Sequence, residues 1–133
     1  MLQLNFDVFP LLNTERLLLR EVSINDADEI FFLRSDKGLL RYLDKHPEKS
    51  VEETKIFIER IEENKKNADG VLWGITLKES DKVIGTICYW KMQKQHYRAE
   101  IGYVLNQAFH GKGIMQEAMQ AVLKYGFEIM KLH

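Results

Sequence analysis

Alternating apolar and polar positions predict a β-strand near the N-terminus. The pattern covers TERLLLREVS (Thr14–Ser23). In an extended chain, Leu17 and Leu19 fall on one face. Leu18 and Arg20 fall on the other face, so the pattern predicts a strand with two distinct faces.

Helical spacing follows this strand in NDADEIFFLRS, with Asn25 as the expected N-cap and early acidic residues that suit the helix dipole. The segment LLRYLDKH continues helically and stops before Pro47, because the residue ahead of a proline avoids the helical region. A clearer helix opens at Ser50 in SVEETKIFIERIEENKKN. There Glu53 completes a capping box, and Gly70 ends the helical segment.

Three strand-like runs come next: VLWGITLK at 71–78, KVIGTICYW at 82–90 and AEIGYVL at 99–105. The short loop ESD and a polar connection between these runs predict an antiparallel meander. A long amphipathic helix follows from 114 to 130. Its apolar stripe consists of Ile114, Ala118, Val122, Tyr125 and Ile129. The order of strand, helices, three strands and helix predicts an α+β or mixed α/β fold.

Length and composition are those of an ordinary globular protein. The chain has 133 residues, 45% of them hydrophobic and 29% charged, which predicts a single domain over 1–133. The net charge of −1 provides no field that would recruit nucleic acid or an acidic membrane. The chain has no apolar run of transmembrane length, and its N-terminus lacks the basic cluster of a secretory signal.

Cysteine and histidine usage excludes two further classes of site. The one cysteine, Cys88, cannot form an internal disulfide, which favours a cytoplasmic protein, and its apolar neighbours indicate a buried small side chain. The four histidines lack the spacing of metal ligands, and one cysteine cannot build a zinc cluster. We therefore expect no metal site.

A glycine turn, Gly111-Lys112-Gly113, lies between the last strand and the last helix. The first N–H groups of a helix have no partner within the helix, and they carry a partial positive charge that suits a phosphate. Glycine also lets the backbone approach a ligand closely. The turn is neither a Walker A loop nor a dinucleotide fingerprint, so its spacing alone leaves open a phosphate site or a plain structural turn.

Two segments together resemble the GNAT superfamily of N-acetyltransferases. They are TERLLLREVSINDADEIFFL near the start and AEIGYVLNQAFHGKGIMQEAMQAVLKYGFE near the end. The similarity is greatest to the branch of ribosomal-protein N-terminal acetyltransferases, which has a TERLxLR strand, IGYxL, a short loop and GxGxxxEA. The resemblance covers most of 14–132. It implies a GNAT-like fold, in which helices flank a central, mostly antiparallel sheet.

The resemblance implies acetyl-CoA as cosubstrate and a primary amine as acceptor, with a protein N-terminal amine favoured by the branch. The pantetheine arm would contact the backbone of Tyr103, Val104 and Leu105. The pyrophosphate would contact the backbone of His110, Gly111, Lys112, Gly113, Ile114 and Met115. One residue departs from the family pattern: Ala108 stands where the loop usually has glutamine or arginine, and Gln107 lies one residue early.

Glu100 is the predicted catalytic residue. It lies on the strand that would present the thioester, where a carboxylate can accept a proton from the amine, directly or through water. The alternative is a strand glutamate that faces solvent or pairs with Arg98. His96 and Tyr97 precede the strand and are interpreted as surface residues, while Trp90 is a candidate for acceptor contact.

The family fold normally continues past the last helix of this chain with another strand, a helix and two more strands. We therefore expect a truncated chain that lacks the C-terminal strands and the general acid they often carry. A non-catalytic CoA-binding or interaction module and a ligand-free structural domain remain as alternative hypotheses. An exposed edge at 99–105 would also favour a homodimer or completion of the sheet by another chain.

Overall fold

The computed structural model describes residues 9–35, 50–67, 70–93 and 98–128. Within them the helices and strands follow the predicted order, preceded by one short strand that was not predicted. The strands are β1 (Leu12–Asn13), β2 (Leu17–Glu21), β3 (Val71–Leu77), β4 (Gly85–Gln93) and β5 (Arg98–Leu105). The α-helices are α1 (Ala27–Ser35), α2 (Val51–Lys66) and α3 (Ile114–Glu128). The α+β prediction is confirmed. Among the described helices, none is long and apolar enough to cross a membrane.

The described strands form one sheet in the order β1-β2-β3-β4-β5, and every neighbouring pair is antiparallel. This arrangement confirms the predicted meander. Strand β4 starts at Gly85, later than the pattern predicted, because a turn in which Ser80 N–H donates to the Leu77 carbonyl at 3.0 Å lengthens the connection. Strand β5 lies at the edge of the described sheet, next to β4 only.

The sheet separates two hydrophobic cores. The core under α3 contains Leu17, Leu19, Trp73, Ile75, Ile87, Ala118 and Val122. The core under α1 and α2 contains Val22, Ile30, Leu33, Ile58, Leu72, Val83 and Val104. Leu17 and Leu19 are fully buried on the same face, as the alternation predicted. Each such side chain contributes roughly 1.5–3 kcal/mol relative to an exposed one.

Helix α3 packs the face that the sequence predicted. Its residues Ile114, Ala118 and Val122 are buried, and Tyr125 is partly buried with its ring 5.6 Å from that of Trp73. Ile129 lies outside the described residues. The buried stripe is why α3 lies across β1 and β2, which brings its first turn close to the β1–β2 connection.

The predicted strand over Thr14–Ser23 is too long at both ends. Thr14 N–H donates to the Leu17 carbonyl at 3.0 Å, and Leu17 N–H donates to the Thr14 hydroxyl at 3.0 Å. These bonds close a tight turn, so residues 14–16 connect β1 to β2 and the strand itself covers Leu17–Glu21. The exposed Arg16 is therefore at the tip of a hairpin.

The predicted N-cap at Asn25 is wrong, because the cap is Ser23. Its backbone is extended (φ −134°, ψ 176°), and its hydroxyl accepts from Asn25 N–H at 3.2 Å. Asp26 accepts from Ser23 N–H at 2.8 Å, which completes a capping box around a 3-10 turn that leads into α1. Asp26 also accepts two hydrogen bonds from Arg20, which anchors this box to β2.

Helix α2 begins as predicted, because the Ser50 hydroxyl accepts from Glu53 N–H at 3.3 Å. It ends at Lys66, before the predicted boundary at Gly70, and Asn67 is its C-cap. The predicted helical segment LLRYLDKH lies outside the described residues.

Candidate functional site

The glycine turn has a backbone that only glycine adopts readily. Gly111 has a φ of +77° and Gly113 a φ of +76°, both in the left-handed region. A Cβ at Gly111 would meet nothing within 4 Å, so the requirement for glycine there comes from the backbone and not from crowding. Glu117 N–H donates to the Gly113 carbonyl at 3.1 Å, so α3 starts directly at this glycine.

The start of α3 brings the predicted pyrophosphate residues together in one short segment. The N–H groups of the first helical turn have no acceptor within the helix, and the helix dipole makes them attractive to an anion. The side chain of Ile114 is buried and that of Met115 is partly buried. These two residues can therefore reach an anion through their backbone only.

The side chains of His110 and Lys112 differ in their surroundings. His110 Nε2 lies 2.8 Å from the Leu105 carbonyl oxygen. Since a carbonyl only accepts, this nitrogen carries the hydrogen and ties the end of β5 to the glycine turn. The Lys112 ammonium is 5.7 Å from the centroid of the Phe109 ring, and the residue is exposed. Lys112 therefore keeps a positive charge at the turn.

The outer edge of β5 offers backbone groups along its length. Asn106 N–H donates to the Ile84 carbonyl at 2.8 Å, which makes these two residues a hydrogen-bonded pair. Because such pairs alternate along an antiparallel ladder, the backbone of Val104 faces β4. The backbone groups of Tyr103 and Leu105 face outward. Of the three residues predicted to contact pantetheine, these two are oriented to do so.

A cavity of about 380 Å³ lies on the α1 and α2 side of the sheet. Its lining includes Arg34, Phe57, Ile61, Leu72, Cys88, Trp90 and Gly102. A Cβ at Gly102 would lie 3.4 Å from Cys88 Sγ and 3.8 Å from Trp90 Nε1, so glycine widens the cavity at β5. The Arg34 guanidinium stacks 3.5 Å from the centroid of the Phe57 ring.

Glu100 lies beside this cavity. It is exposed and opposite Trp90 in the β4–β5 register, and it shares a strand face with Gly102. The predicted catalytic residue is therefore on the cavity side of β5, while α3 covers the other side. His96 and Tyr97 lie outside the described residues. No group of three metal-ligating side chains occurs within the described ranges.

Three polar residues next to the glycine turn were not predicted as part of the site. Glu117 accepts from the Thr14 hydroxyl, from Arg16 N–H at 2.9 Å and from Arg16 Nε–H at 2.8 Å. The hydrogen bond from Thr14 is the largest cause, and together with the contacts from Arg16 it lowers the pKa of Glu117 to about 2. Both partners lie in the TERL motif, which is the signal that could have indicated them.

Known proteins share this architecture. The sequence model of the acetyltransferase (GNAT) domain matches residues 16–133. The chain is 32% identical over 125 residues to the uncharacterized N-acetyltransferase YoaA of Bacillus subtilis (strain 168), covering 94% of this chain and 71% of YoaA.

Two solved structures are similar in fold. An acetyltransferase (GNAT family) from Bacillus anthracis superposes with a TM-score of 0.77 at 31% identity, covering 93% of this chain and 70% of that one. A putative ribosomal-protein-serine acetyltransferase from Vibrio cholerae superposes with a TM-score of 0.81 at 22% identity, covering 97% of this chain and 72% of that one. The chain therefore belongs to the GNAT family of acetyltransferases, and its reaction is acetyl-CoA-dependent N-acetylation.

Proposed function

We propose that this domain, taken as residues 1–133, transfers acetyl from acetyl-CoA bound along β5 to a primary amine that enters through the cavity beside α1 and α2. The observation that carries the proposal is the pair of left-handed glycines directly before α3. They lie between the last strand of the described sheet and the start of α3, where free N–H groups suit an anion, and the cavity opens on the opposite side of the sheet.

In this proposal the pyrophosphate of acetyl-CoA binds the backbone N–H groups of His110, Gly111, Lys112, Gly113, Ile114 and Met115. Lys112 adds a positive charge at the rim of the turn. The pantetheine arm, an extended chain with two amides, pairs with the outward backbone groups of Tyr103 and with the Leu105 N–H as an added strand would. The Leu105 carbonyl already accepts a hydrogen bond from His110. The backbone of Val104 faces β4 instead, and its side chain is buried in the core on the cavity side of the sheet.

Glu100 serves as the base for the amine. It lies five positions before Leu105, about 17 Å along an extended strand, which separates the reacting end of the cofactor from its phosphates. The amine nitrogen attacks the thioester carbonyl, the C–N bond forms, and the C–S bond breaks. The proton from the amine passes to Glu100, directly or through water, and the CoA thiolate takes up a proton from solvent.

The acceptor we favour is the N-terminal amine of a protein. The likeness in fold to a ribosomal-protein-serine acetyltransferase supports this choice. The chemistry of the cavity supports it as well, because the exposed ring of Trp90 lies opposite Glu100 on the cavity side of the sheet and can pack against a peptide. A small polyamine would gain less from this aromatic surface.

The test measures acetyl-CoA binding by calorimetry and CoA thiol release over a panel of peptides with free N-termini, polyamines and aminoglycosides. We expect thiol release with peptides, and a loss of about 10²–10⁴-fold in Glu100→Gln with unchanged acetyl-CoA affinity. Glu63→Gln on the exposed side of α2 is the matched control.

Three results would contradict parts of the proposal. The absence of acetyl-CoA binding by the folded protein would overturn the cofactor site. Binding without thiol release for any amine would favour the non-catalytic module instead. Full activity in Glu100→Gln would remove Glu100 from the mechanism and leave the cofactor site standing.

A further inference from the structure

A three-residue contact joins the β1–β2 turn to the first turn of α3. Thr14 donates its hydroxyl hydrogen to Glu117, and Arg16 donates both its backbone N–H and its Nε–H to the same carboxylate, at 2.9 and 2.8 Å. The contact spans 101 residues of sequence between Arg16 and Glu117. It therefore fixes where the tip of the hairpin lies relative to the start of the helix.

Arg16 also reaches the glycine turn itself. Its guanidinium donates a second hydrogen bond, from Nη1 to the Lys112 carbonyl oxygen at 2.9 Å. The peptide between Lys112 and Gly113 is planar and trans, so its C=O and N–H point in opposite directions. Holding the Lys112 carbonyl toward Arg16 therefore directs the Gly113 N–H away from Arg16, to the opposite side of the turn.

Gly113, the residue after this peptide, is left-handed. It has a φ of +76°, and a Cβ placed there would lie 3.5 Å from Arg16 Nη2. The guanidinium thus lies close to the residue that directly precedes α3. A planar fork with fixed donors suits this task better than a flexible ammonium, because it bonds the carboxylate and the carbonyl at once.

The network also removes an unfavourable charge. A lone carboxylate in the first turn of α3 would repel a phosphate bound at the same helix start. Glu117 is instead paired with Arg16 at 2.8 Å, so the two side chains together add no net charge. The helix start keeps the partial positive charge of its own N–H groups for an anionic ligand.

We infer that Thr14, Arg16 and Glu117 are positioning residues that set the Lys112–Gly113 peptide so that its N–H faces the cofactor phosphates. The inference rests on the proposed function, because it assumes that the glycine turn holds the pyrophosphate. It assigns a role in cofactor binding to the N-terminal TERL segment, whose residues act through Glu117 and the Lys112 carbonyl.

The experiment compares two ligands that differ in their phosphates. NMR titration of the ¹⁵N-labelled full chain measures Kd for CoA and for pantetheine, which shares the arm but has no pyrophosphate or nucleotide. In Arg16→Lys we expect the Kd for CoA to rise about tenfold, the fold-change of one lost hydrogen bond to a charged group, while the Kd for pantetheine stays within about twofold. Thr14→Val should shift in the same direction by less.

Arg60→Lys, an exposed arginine on α2, is the matched control and should change neither Kd. Melting temperatures show whether each variant is folded under the titration conditions. If Arg16→Lys and Thr14→Val keep the native ratio of the two Kd values, the network stabilises the fold only and the inference is wrong. If the unmodified protein itself binds CoA no more tightly than pantetheine, the glycine turn holds no phosphate, and the proposed cofactor site falls as well.

Discussion

Gly111 is a position at which backbone geometry alone favours glycine. Its φ of +77° excludes proline, whose ring holds φ near −65°, whereas asparagine tolerates the left-handed region better than other residues with a Cβ. A Cβ at this position meets nothing within 4 Å, so the β-carbon of neither substitution introduces a clash. Asparagine therefore tests an added side chain at a tolerated φ, whereas proline changes the conformation and also removes the Gly111 N–H of the proposed pyrophosphate site.

We predict that Gly111→Pro loses acetyl-CoA binding and that Gly111→Asn retains it within about tenfold, a difference of at most 1.4 kcal/mol. Calorimetric titration of both variants against the unmodified chain measures the effect. Equal binding by the two variants would mean that the left-handed turn is not needed for the cofactor.

At the residue scale, the sequence could indicate residues of the candidate site but not which residues contact one another. Glycine, lysine and helix start are adjacent in sequence, so local patterns suffice for them. Arg16 and Glu117 are 101 positions apart, and their contact depends on how α3 crosses the sheet. No local sequence pattern predicts the angle between α3 and the strands.

At the scale of elements, helix α2 is held by its cap and by few buried side chains. Only Thr54 and Ile58 are buried within it, and its outer face is charged. The Ser50 hydroxyl satisfies the N–H of Glu53, one of the donors left open at the helix start. The helix also supplies Phe57 and Ile61 to the cavity wall, so we expect its stability to affect the proposed acceptor side more than the glycine turn.

We predict that Ser50→Ala lowers the free energy of unfolding by about 1 kcal/mol, whereas Ser50→Asp, which keeps a capping oxygen, stays close to the unmodified protein. Urea denaturation measures both, and the Kd for CoA should be the same in all three proteins. A higher Kd for CoA in Ser50→Ala would show that α2 is coupled to the cofactor side of the sheet.

Element prediction succeeded where periodicity spans several turns and failed at the ends. The spacing of Ile114, Ala118 and Val122 correctly indicated the buried face of α3. The pattern placed residues 14–16 in a strand because charged residues are compatible with an extended edge, but the hydrogen bonds of Thr14 make them a turn. Asn25 and Ser23 are both good caps, and only the fold, through Asp26 and its bonds to Arg20, selects Ser23.

At the scale of the whole molecule, the sheet divides the proposed work between its two faces. The glycine turn leads from the end of β5 to α3 on one side, and the cavity lies under α1 and α2 on the other. Glu117 connects the first side to the N-terminal hairpin, so it links the earliest and the latest described elements of the chain. Removing its charge should therefore be visible in global stability.

The pKa of Glu117 is lowered to about 2 in the folded chain from an ordinary value of 4.5, because Thr14 and Arg16 donate to it. A lowered pKa stabilises the fold at pH values above the pKa of the same group in the unfolded chain. That stabilisation is lost as the pH falls from about 5 toward 2.

We predict that Glu117→Gln is less stable than the unmodified chain by about 1 kcal/mol at pH 6. The figure is modest because the Arg16 side chain is 44% exposed and water screens the pair. The difference in free energy of unfolding between the two proteins should be smaller at pH 3. Urea denaturation at both pH values measures it, and the lowered pKa of Asp26 cancels from the difference because both proteins contain that residue. A difference in unfolding free energy between Glu117→Gln and the unmodified chain that is as large at pH 3 as at pH 6 would mean that the contacts of Glu117 do not depend on its charge.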